Sequence, residues 1–108
     1  MTYRSFWIEA LDEGQSEPEI PTYATRARNI AKLDRFADKC SVRTLTDWAS
    51  SQGASARYID NCWVRVEVSV GQLFEFLTEI ADIPESTLET LRTRTSDAYR
   101  CVMVAEEF

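Results

Sequence analysis

The chain has 108 residues, 44% of them hydrophobic and 28% charged, with 18 Asp and Glu against 12 Lys and Arg, and it contains no histidine. This composition predicts one folded domain spanning residues 1–108, with a radius of gyration of about 13 Å. Lack of imidazole removes the commonest metal ligand and the usual proton shuttle near neutral pH, and a net charge of −6 opposes binding to phosphate backbones.

Residues 3–11 (YRSFWIEAL) alternate Phe6, Ile8 and Ala10 against Trp7 and Glu9, the pattern of a first strand. Arg4, Glu9, Asp12 and Glu13 interrupt any signal-peptide core, and no apolar run approaches a membrane span, so a cytoplasmic address is expected. The following DEGQSEPEIP carries acids and prolines and reads as a loop.

From Thr25 to Cys40 the residues Ala27, Ile30, Leu33, Phe36, Ala37 and Cys40 recur at helical spacing. Arg28, Lys32, Arg35 and Lys39 form a basic stripe on the other side of that expected helix. A short second helix is expected over Thr44–Ser51, with Thr44 as its cap and Leu45, Trp48 and Ala49 inward. SSQGAS then ends it.

Residues 62–68 alternate Cys62, Val64, Val66 and Val68 with Trp63, Arg65 and Glu67, which predicts a strand with one buried and one wet face. Ser69 and Gln72 make an S-x-x-Q capping box ahead of Leu73, Phe76, Leu77 and Ile80, with Glu75, Glu79 and Asp82 on the far side. Pro84, Ser86 and Glu89 restart a helix that buries Leu88 and Leu91 and runs to about residue 97, and residues 99–105 close the chain as a strand. The element order is β-α-α-β-α-α-β. It predicts an α+β two-layer sandwich of about three strands with helices on one face.

Three widely spaced cysteines, Cys40, Cys62 and Cys101, match neither a disulfide framework nor a CxxC metal site, and reduced thiols are expected. None sits where a helix N-terminus would activate it, and Cys40 falls at a helix C-terminus. The acid pairs Glu75 with Glu79 and Asp12 with Glu13 belong to a solvent face and a loop. No calcium-loop spacing, Walker loop or GxGxxG occurs. No catalytic residue, cofactor or metal is therefore expected.

Charge is unevenly distributed: residues 1–24 carry −4, residues 25–50 carry +3, residues 51–70 balance, and residues 71–108 carry −5. In size and charge the chain resembles small acidic inhibitors, such as immunity proteins against nuclease toxins and phage proteins that block restriction or CRISPR complexes. The resemblance is one of general character, with no motif matched residue by residue. It implies a non-catalytic protein-binding module that docks on a basic surface of another protein. The expected contact groups are Asp12, Glu13, Glu17, Glu19, Glu75, Glu79 and Asp82, with Trp7, Trp63 and Tyr3 as aromatic anchors. The basic and acidic stripes are expected to point away from the core and to meet only between two copies, which makes a homodimer a second expectation. Two alternatives remain at this point: a small-molecule or enzymatic pocket around Arg57, Tyr58, Asp60 and Asn61, and a weak nucleic-acid contact through Arg28, Lys32, Arg35 and Lys39.

Overall fold

The computed structural model describes residues 3–13, 28–59 and 62–108, and the side chains of Arg28 and Ile59 lie outside that description. In chain order the elements are β1 (Arg4–Leu11), β2 (Arg28–Lys32), a 3-10 turn (Asp34–Phe36), α1 (Val42–Gln52), β3 (Ser55–Ile59), β4 (Trp63–Val68), α2 (Val70–Glu79), α3 (Glu85–Arg94) and β5 (Arg100–Glu107). The strands form one antiparallel sheet in the order β2-β1-β5-β4-β3, and the helices belong to the core on one side of it. The radius of gyration is 12.8 Å. The α+β class holds, with five strands among the described residues in place of three.

Alternation decides which side chains meet the helices. Phe6, Ile8 and Ala10 of β1, Cys101, Met103 and Ala105 of β5, and Val64, Val66 and Val68 of β4 all point to the helix side and are buried. Over them lie Leu45, Trp48 and Ala49 of α1, Leu73, Phe76 and Leu77 of α2, and Leu88 and Leu91 of α3. Phe76 is central, with Trp48 edge-on at 5.1 Å and Phe6 at 6.2 Å between ring centroids.

Local chemistry sets the helix ends. Ser69 accepts from the Gln72 N–H while the Gln72 side chain accepts from the Ser69 N–H, so the capping box forms as its sequence indicates. α1 starts ahead of its expected position: Ser41, not Thr44, is the cap, and Val42 enters the core. The Val42 N–H also donates to Glu107 Oε1 at 3.1 Å, tying α1 to the end of β5. Gly53 ends α1 in the left-handed region (φ 63°), which glycine adopts without Cβ strain. α3 begins after Pro84 without a side-chain cap bond and stops at Arg94, short of its expected end.

Of the expected helix over Thr25–Cys40, Thr25 to Ala27 lie outside the described residues, and residues 28–40 do not form it. Its described part is a short edge strand and a 3-10 turn. The Leu33 N–H donates to the Phe6 carbonyl at 2.8 Å, and Asp34 accepts from Ser5 Oγ at 3.0 Å and from the Phe6 N–H at 3.3 Å. These bonds to β1 outcompete helical pairing within the segment. Ile30, Leu33, Ala37 and Cys40 are nevertheless buried, so their core membership was read correctly and their secondary structure was not. β3 was also missed, and the polar residues assigned to a pocket-forming loop begin in that strand.

Candidate interaction surfaces

The side of the sheet facing away from the helices is the first candidate, and it departs from expectation. The outward residues of β4 were expected to be wet, yet Trp63 is 7% and Arg65 3% exposed. Val102 and Val104 of β5 form a small second cluster with Leu11 and Trp63, and Trp7 and Cys62 pack against it.

Strand register explains the arrangement. Trp7, Val104 and Arg65 lie in one row across β1, β5 and β4, and Glu9, Val102 and Glu67 lie in the next. Arg65 Nη1 reaches Glu9 Oε2 at 3.0 Å, a diagonal across the central strand, and Trp7 Nε1 donates to the other Glu9 oxygen at 2.8 Å. The two long side chains thereby roof the valines. Arg100 Nε holds Glu67 Oε1 at 2.9 Å on the same side. A buried ion pair of this kind gains little net stability, because desolvation offsets the attraction, but losing one partner strands a charge.

Acidic helical residues form the second candidate. Glu75 and Glu79 are exposed one turn apart on α2, opposite Leu73, Phe76 and Leu77, as their spacing indicates. Among the described residues no cation pairs with either. Ile80, 41% exposed, lies beside them at the end of α2, because the turn that buries Ala81 and Ile83 leaves it outside. Asp82 adopts φ 51° in that turn, a left-handed conformation that Asp tolerates better than most residues. It pairs with Lys39 Nζ at 3.5 Å. The acidic and basic sets thus do meet within one molecule, contrary to the expectation from a helical Thr25–Cys40.

The basic stripe itself is dismantled by the loss of that helix. Lys32 pairs with Asp34 at 3.6 Å, and Asp34 chiefly raises the Lys32 pKa, with a smaller contribution from Tyr3. Arg35 stacks over Phe36 at 4.5 Å, and Lys39 is held by Asp82. Arg4, Arg92 and Arg100 are likewise in ion pairs, with Asp38, Glu85 and Glu67.

Of the remaining expected contact residues, Asp12 and Glu13 are exposed just beyond β1, and Tyr3 is exposed and stacks on Phe108 at 6.4 Å. Glu17, Glu19, Asp60 and Asn61 lie outside the described residues. Arg57 and Tyr58 lie on β3, with Tyr58 exposed. An open groove of about 430 Å³ is found elsewhere, where Val70 and Phe74 of α2 face Arg92, Thr95, Ser96 and Ala98.

Cys40, Cys62 and Cys101 form no disulfide. Burial pushes Cys40 up to about 12 and Cys101 up to about 11, against smaller opposing effects of Lys39 and Arg100, so neither is a thiolate nucleophile at neutral pH. Among the described residues no group of three or more Cys, Asp or Glu side chains is placed to hold a metal ion, and no helix is long and apolar enough to cross a membrane.

The sequence reading singled out Trp7 and Trp63 but overlooked Glu9, Arg65, Glu67 and Arg100 as a set. The available signal was opposite charge at matching outward positions of two alternating strands. Compared with protein-family models, curated proteins and solved structures, the chain matches none of them.

Proposed function

We propose that this chain is a non-catalytic protein-binding module of the small acidic inhibitor or immunity type, acting in the cytoplasm by covering a basic surface of a partner protein. A nucleic-acid-handling enzyme or complex is the partner class whose groove carries the complementary charge. One observation supports this reading above the others: the cations Arg4, Lys32, Lys39, Arg65, Arg92 and Arg100 are engaged in ion pairs within the molecule, whereas Glu75 and Glu79 stand exposed and without an ion-pair partner among the described residues. The negative field of α2 is therefore directed outward, where it accelerates encounter with a positive surface. Ile80 supplies an apolar contact beside the acids.

The test is charge reversal on a surface that does not support the core. Wild-type protein immobilised in extracts of its native host is expected to retain a basic protein at low salt and to release it as salt rises. The double variant Glu75→Lys, Glu79→Lys is expected to lose that protein while keeping the wild-type melting temperature. Retention of the same protein by the double variant, with unchanged salt dependence, rules out α2 as the contact.

A further inference from the structure

We draw no further inference here: the strongest candidate, the open groove where Val70 and Phe74 of α2 face Arg92, Thr95, Ser96 and Ala98, is an apolar cleft whose cation Arg92 is already ion-paired with Glu85, and nothing in the structure shows what covers it.

Discussion

On the helix side of the central strand, Met103 lies between Ile8 and Val66 under a layer of aliphatic and aromatic side chains. On the other side, Val104 lies between Trp7 and Arg65, with the Glu9–Arg65 pair above it. The first face excludes water with volume and the second with geometry. Apolar packing contributes stability roughly in proportion to the area buried and tolerates many arrangements of similar volume. The ion pair contributes little net energy, and its members meet diagonally across β5 in the register that sets Trp7 and Arg65 on either side of Val104.

The largest expected effect is on the helix side. Phe76→Ala removes the ring that Trp48 and Phe6 pack against, and it is expected to lower unfolding free energy by about 3–5 kcal/mol in urea titrations. A loss below about 1 kcal/mol would mean that the helices do not depend on this contact.

Arg65→Leu comes next. It is expected to cost about 3 kcal/mol, the lower end for a buried pair that loses one partner, because Trp7 still donates to the Glu9 carboxylate. Replacing both members, Glu9→Leu with Arg65→Leu, is expected to recover most of that loss, since neither member of the pair is then left buried without the other. A double variant as unstable as the single one would show that the pair holds the sheet energetically.

The smallest effect belongs to pH. Cys40 has a folded-state pKa of about 12 against an ordinary value of 9.0. Its neutral form is the one the fold favours, so its contribution is fully present below pH 9 and is lost as pH rises toward 12. Cys40→Ala is expected to flatten the decline in melting temperature over that interval while lowering stability at pH 7. An alkaline limb as steep as that of the wild type would place the titration elsewhere, with Cys101 the next thiol to replace.

How much of this was readable in advance depended on whether local pattern or distant pairing decided the outcome. β1, β4 and β5 were readable because Phe6, Ile8 and Ala10, the three valines of β4, and the run from Cys101 to Ala105 bury side chains at period two or continuously. α2 was readable from its capping box and from the spacing of Leu73, Phe76 and Leu77, and the exposure of Glu75 and Glu79 followed from the same helical wheel. Residues 28–40 were misread because Ile30, Leu33, Ala37 and Cys40 satisfy a helical template while being buried from a strand and a turn. Only the bonds to Phe6 and Ser5 decide between the two, and they come from far along the chain. The short strands RNIAK and SARYI carry too few alternating apolar residues to declare themselves. Glu9 and Arg65 could be placed on outward faces, but their meeting depends on the sheet order, which no local pattern encodes.

One consequence follows from where β5 stands. β1 pairs with β2 and β3 with β4, each a match between strands neighbouring in chain order, and among the described residues β5 is the strand that joins the two pairs. In synthesis order it comes after all the others. The two hairpin-like halves therefore share no ladder until β5 slots between them, and each exposes the margin that β5 covers. Assembly is governed by a contact between chain regions roughly a hundred residues apart, the kind of long loop closure that makes folding slow. A nascent chain of this design would hold a divided sheet until residues 100–107 had left the ribosome.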